Sequence, residues 1–278
     1  MNENAPILVW FRRGDLRLAD NPALRAAAET GRPVLPVFLR DGIVRRIGAA
    51  PAWRMGLSLA SLAADLTHAG SRLILRTGEA EETFGILIAE TGATALYWNR
   101  AHDPASRARD TDLKASLKGQ GIDARSFAGN LLFEPWNTKN KSGQPYKVFT
   151  PMWRAQSEQP VPPPVTAPAR IACPAQWAAS EELAGWALDG PMNRGAGIVG
   201  KYVQAGESAA RDRLDAFLDE SLSGYEAGRD TMASQSCSGL SPFLANGEIG
   251  IRQCWHYAMN RYHTGQSGAQ AFLRQLMW

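Results

Sequence analysis

Four small residues, Ser236, Cys237, Ser238 and Gly239, run into Leu240-Ser241-Pro242 within the stretch Tyr225 to Glu248, where the chain could hold an anion. Ser241 stands where a helix cap belongs and Pro242 where the first helical residue belongs. Free N–H groups at a helix start point outward and carry roughly half a positive charge, so a phosphate or diphosphate docks there with hydroxyls beside it. The same residues serve equally as a serine-rich loop that only caps a helix. A second dense patch is the loop Phe11 to Asn21, FRRGDLRLADN, whose Arg and Asp residues suit salt bridges tying a loop to adjacent helix ends. Gly195-Ala196-Gly197-Ile198-Val199-Gly200 matches the dinucleotide-binding glycine pattern, but no strand precedes it, so it reads as a flexible lead-in.

These residues need a scaffold, and the first half of the sequence supplies one. Short apolar runs, Ile7 to Phe11, Val34 to Leu39, Arg72 to Arg76, Ala93 to Trp98 and Ile122 to Phe127, alternate with helix-length segments. That alternation predicts an α/β fold, a doubly wound five-stranded parallel sheet, followed by a partial all-α domain. The helices expected are one opened by Asn21-Pro22 and ended by Gly31, then Pro51 to Ala69, Glu79 to Thr91 and Pro104 to Lys118. Ligands in such sheets sit beyond the carboxyl ends of the strands, near which His102 and Asp103 fall. A crowd of prolines between residues 157 and 180 excludes helix and central strand and reads as a surface linker. The division is thus residues 1–156, an α/β domain that folds autonomously; 157–196, a Pro-rich linker; and 197–278, a helical part beginning with Glu207 to Leu218.

Composition narrows the class. Of 278 residues, 45% are hydrophobic and 21% charged, enough to bury a sizeable core. The net charge is only +3, yet 24 of the 30 basic residues are Arg, which suits phosphate contacts without dominating the surface. Cys173, Cys237 and Cys254 have no metal-ligand spacing and form no even disulfide set, so no metal is expected and a cytoplasmic location is. No apolar run is long enough to span a bilayer, so no membrane is expected.

Two segments resemble the DNA photolyase and cryptochrome family: VWFRRGDLRLADNPAL near the start, and Tyr225, Arg229-Asp230, Cys237-Ser238-Gly239-Leu240-Ser241-Pro242 and Gly247-Glu248-Ile249 near the end. Cys237 stands where the family has threonine, Gly239 where it has arginine, and Thr231-Met232 where it has Phe-Pro. The resemblance implies a deoxyribodipyrimidine photolyase-family flavoprotein: a carbon-carbon lyase that performs light-driven DNA repair of pyrimidine dimers with FAD, using no acid, base or nucleophile. The implied cofactor-binding residues are Tyr225, Cys237, Ser238, Gly239, Leu240, Ser241 and Phe272. The implied DNA-binding residues are Arg229, Gln275 and Trp278. Ala105 and Ser106 occupy the positions of the Asn-Glu pair of folate-using members, so folate is not expected and the antenna chromophore stays open. The family pattern continues past Trp278 through a helical bundle that completes the flavin pocket, so the expectation is a weak or partial FAD site and a chain too short to repair DNA alone. A cryptochrome-like flavin photoreceptor and a non-functional fragment are the alternatives.

Overall fold

The computed structural model describes residues 4–278. Five parallel strands, β1 (Ile7–Phe11), β2 (Val34–Arg40), β3 (Ile74–Thr77), β4 (Ala95–Asn99) and β5 (Asp123–Phe127), stand in the order β3-β2-β1-β4-β5. The chain winds outward from β1 to β3, then returns to the other side of β1, so the switch point lies between β1 and β4. Alternate residues of β1 explain the layers. Ile7, Val9 and Phe11 face α1 (Pro22–Ala28) and α2 (Ala49–His68), meeting Leu24, Leu59, Leu62 and Leu66. Leu8 and Trp10 face α3 (Ala80–Thr91) and α4 (Pro104–Gly119), meeting Phe84, Leu87, Leu113 and Leu117. Both faces of β1 are therefore buried, as a central parallel strand requires. The Asn21 side chain accepts from Leu24 N–H and Asp103 from Ser106 N–H, each with Pro at the following position.

The segment 157–196 departs from the expected surface linker. Ile171 and Trp186 lie in the core formed by α1, α2 and the sheet. Val34 N–H donates to the Ala172 carbonyl at 2.8 Å and Glu181 N–H to the Leu75 carbonyl at 2.9 Å. Proline forbids helix and central strand, yet it leaves extended backbone free to lie along a sheet edge with its apolar side chains inward. The glycine pattern at 195–200 is not a loop either: Arg194–Val199 forms the short helix α6, with none of its residues buried.

The second core belongs to the helical part. It comprises α5 (Phe149–Gln156), α7 (Glu207–Ala216), α8 (Tyr225–Gly228), α9 (Ser241–Asn246), α10 (Ile251–His263) and α11 (Ala269–Met277). Helix α7 gives way at Phe217–Ser221 to one wide turn, two residues before the expected end. Leu214, Phe217, Leu240, Trp255, Phe272 and Leu273 fill this core, and Trp153 of α5 packs against it.

The Arg/Asp loop joins the two cores and is not the exposed salt-bridge loop its composition suggests. Asp15, Arg17 and Asp20 are buried. Arg17 donates to the carbonyls of Asp20 and Gly129 at 2.8 Å each and of Gly247 at 3.0 Å. Asp20 pairs with Arg252 of α10 at 2.5 Å, Glu207 accepts from Leu18 N–H at 2.7 Å, and Glu248 pairs with Arg54 of α2 at 2.5 Å. At Gly247 a Cβ would fall 1.9 Å from the Gly14 backbone, on a φ of +69°, so only glycine permits this approach. Burial raises the Asp15, Asp20 and Glu248 carboxyls and lowers the Arg17 and Arg54 guanidinium groups, against the pull of their partners.

Candidate ligand-binding site

Tyr225 opens α8 with its ring inside the second core. It meets Phe217 and Phe272 edge-on at 5.6 Å each, and those two rings stand 4.8 Å apart. Burial raises the Tyr225 phenol, which sits beside the Arg229 guanidinium, 5.9 Å from its ring. Phe272, 2% exposed, and Leu240, 1% exposed, are core residues as well.

The loop after α8 lies at the surface and is braced from α7. Arg213 donates to the carbonyls of Ser238 at 2.6 Å and Cys237 at 2.9 Å. A Cβ at Gly239 would lie 2.9 Å from Arg213 Nε on a φ of +66°, so the glycine is matched to this brace. Ser238 is half-buried, with its hydroxyl 3.4 Å from Leu240 N–H, and Ser241 is exposed. The expected cap at Ser241 is corrected. Leu240 occupies the cap position without a side-chain bond, and Ser241 is already the first residue of α9, which has only six residues. Pro242 at the second position fits the helix start one residue earlier than the sequence suggests. A helix this short offers little summed dipole to an anion.

The three residues implied for nucleic acid do meet. Arg229, Gln275 and Trp278 line one pocket of about 490 Å3 with Phe149, Asp230 and Arg274. Arg229 Nη1 donates to Gln275 Oε1 at 3.4 Å, and Trp278, 66% exposed, meets Phe149 edge-on at 5.3 Å. Arg274 lies 5.3 Å from the Phe149 ring and 5.8 Å from Trp153. Sequence reasoning passed over Arg274 and Phe149. The signal for Arg274 was its place four residues before Trp278, one helical turn away; Phe149 arrives from a distant segment and gave none. Chemically the pocket offers the guanidinium groups of Arg229 and Arg274, the carboxamides of Gln270 and Gln275, the carboxylates of Glu226 and Asp230, the latter 3.5 Å from Arg229, and an exposed indole.

Measured against FAD, the residues fit one end only. Ser238, Ser241 and the Arg213-braced backbone can meet phosphate and ribose, whereas Tyr225, Leu240 and Phe272 turn into the core and offer a ring system no open face. Among the described residues there is no cluster of three or more His, Cys, Asp or Glu that could hold a metal ion, and no helix is long and apolar enough to cross a membrane.

Comparison with known proteins places this geometry in context. The family model described as DNA photolyase matches residues 7–169. The chain is 42% identical over 278 residues to the deoxyribodipyrimidine photo-lyase of Agrobacterium fabrum, a match covering 99% of this chain and 58% of that protein. It is 34% identical to cryptochrome-2 of Arabidopsis thaliana, covering 99% of this chain and 47% of that protein. The crystal structure of a class III photolyase from Agrobacterium tumefaciens superposes with a TM-score of 0.92 at 40% identity, covering 99% of this chain and 57% of that chain. The chain thus spans less than two thirds of the length of these relatives. Its fold, its opening loop and the matched segment all agree: the chain belongs to the DNA photolyase family.

Proposed function

We propose that this chain recognises pyrimidine-dimer DNA and contributes to its light-driven, FAD-dependent repair. The observation that carries the reading is the convergence of Arg229, Gln275 and Trp278 with Arg274 in one pocket. Arginine guanidinium groups take backbone phosphates and fix register, whereas an exposed indole stacks on a displaced base. Gln275 supplies one carboxamide donor to a pyrimidine carbonyl and lacks the charge of a carboxylate. An enzyme that acts on a base takes it out of the stack, and a lesion that already weakens stacking lowers that cost. When bound, FAD supplies the electron that opens the cyclobutane ring; Ser238 and Ser241 are the residues of this chain that would meet its phosphates and ribose. Repair is assigned to a polypeptide that also holds the part of the relatives' length this chain does not span. The proposed location is the cytoplasm.

Titration with a duplex carrying one cyclobutane thymine dimer, against the same duplex undamaged and in the dark, tests the reading. Tighter binding of the damaged duplex supports it. Equal affinity for both, together with retained flavin, favours a cryptochrome-like photoreceptor, in keeping with the cryptochrome relative.

A further inference from the structure

The connector between the two cores carries a charge that nothing near it in the sequence offsets. Residues 135–157 hold Lys139, Lys141, Lys147 and Arg154 and no Asp or Glu. All four cations are exposed, and among the described residues none of them is in an ion pair. Glu134, which bounds the stretch on one side, is held by Arg100 at 3.1 Å; Glu158 bounds it on the other. Like charges crowded in this way repel one another and draw a polyanion.

The lysines stand on a built hairpin. Lys139 bridges Pro145 in antiparallel fashion, and Asn140 N–H donates to the Gln144 carbonyl at 2.8 Å. The Asn140 side chain closes the tip, its Oδ1 accepting from the N–H groups of Ser142 and Gln144 at 2.9 Å each, while Gly143 takes a φ of +74°. A turn ordered in advance spares a ligand part of the cost of ordering it on binding.

The returning arm leads to the pocket of Arg229, Gln275 and Trp278. Pro145 and Tyr146 line a cavity of about 550 Å3 together with Trp278, and Phe149 lines the pocket itself, edge-on to Trp278 at 5.3 Å. Lys147 stands two residues before Phe149 and Lys141 eight. Eight residues reach at most about 28 Å, the rise of about eight base pairs of duplex. A duplex whose displaced base enters the pocket therefore has one flank within range of the hairpin.

We propose that this hairpin is a second DNA contact, its three lysines holding the phosphate backbone to one side of the displaced base. The proposal rests on the reading of the Arg229 and Trp278 pocket as the lesion site. A lysine ammonium takes a phosphate as a point charge, so the contact adds affinity and fixes register without reading sequence.

Two probes separate flank from pocket: a duplex of about 30 base pairs with a central thymine dimer, long enough to cover the reach on either side, and a single-stranded pentanucleotide carrying the same dimer. The triple variant Lys139→Ala, Lys141→Ala, Lys147→Ala should bind the long duplex at least about tenfold more weakly, damaged and undamaged alike, and its salt dependence should be shallower by about two to three phosphate contacts. Its affinity for the pentanucleotide and its melting temperature should match those of the native protein. The triple Lys→Arg variant at the same positions keeps the charge and should keep the salt dependence, which a role in holding the hairpin's shape does not predict. An unchanged salt dependence in the Ala variant, with damaged duplex still preferred, would overturn the proposal and leave the lesion reading standing, as would an equal loss on the pentanucleotide. A native protein that does not distinguish damaged from undamaged duplex would mark the failure of the lesion reading and take the flanking role with it.

Discussion

Arg17 Nη1 donates to the carbonyl of Gly247 at 3.0 Å, joining the loop after β1 to a turn 230 residues further along. The guanidinium also holds Gly129 and Asp20 carbonyls, so one buried side chain ties the loop after β1, the segment just after β5 and the helical part together. The two cores meet through desolvated charge rather than through apolar contact alone. Such charges matter most when one is removed, because its partners stay buried without compensation.

Arg17→Ala should therefore destabilise the protein by about 3 to 5 kcal/mol, the range for breaking a buried ion pair from one side. Urea unfolding followed by circular dichroism measures it. A loss within about 0.5 kcal/mol, as for an ordinary surface substitution, would show the network to be dispensable.

A fragment ending at Ala155 should melt well below the whole chain, contrary to the autonomy suggested by the strand and helix count. It loses Ile171 and Trp186 from the first core and leaves Arg17, Leu18 and Asp20 without Gly247, Glu207 and Arg252, respectively. A fragment ending at Leu188 regains the two core residues and should be the more stable of the pair by thermal melt. Equal melting temperatures would show that the segment after Ala155 adds nothing to the first domain.

Glu248 gives a pH test with a definite sign. Burial raises its carboxyl above the ordinary value despite Gly206 N–H and Arg54. The folded state then holds the proton more tightly than the unfolded chain. The stability this contributes is complete below the ordinary glutamate range and is lost as pH rises through the folded value. The stability of the native protein minus that of Glu248→Gln should accordingly be larger at pH 5 than at pH 7. A smaller difference at pH 5 would mean that the Arg54 pair, at 2.5 Å, overcomes desolvation.

Purified protein should carry FAD well below one equivalent, because only the phosphate and ribose end of the ligand meets fitting residues, while a small-molecule site normally buries roughly 70 to 90% of its ligand. Absorbance near the flavin band after gel filtration reads this directly. A stoichiometric yellow preparation would show that Tyr225 and Phe272 leave the core to enclose the ring.

The sheet was legible in the sequence because strands buried on both faces read as short apolar runs, and Asn21-Pro22 and Asp103-Pro104 mark helix starts by local hydrogen bonding alone. Strand ends moved by one or two residues, as at β3, where Ile74 and not Arg72 begins the pairing. The role of the opening loop was not legible: the partners of Arg17 are backbone carbonyls at Gly129 and Gly247, and a carbonyl carries no sequence signature. The same holds for residues 157–196, whose prolines announce what the segment cannot form but not what it lies against. In the pocket, Arg229, Gln275 and Trp278 came from a family resemblance. Phe149 came only from the fold.

The most direct measurement is the ratio of affinities for dimer-containing and undamaged duplex in the native protein, Arg274→Ala and Trp278→Ala, each across a salt series. The account expects Arg274→Ala to weaken both duplexes alike and to flatten the salt dependence by about one phosphate contact. Trp278→Ala, at an exposed ring, should leave the salt dependence in place and bring the ratio close to one, since base stacking is worth roughly 1 to 3 kcal/mol. A native protein that binds both duplexes equally, or a ratio that survives the loss of Trp278, would contradict the assignment of this pocket to the lesion.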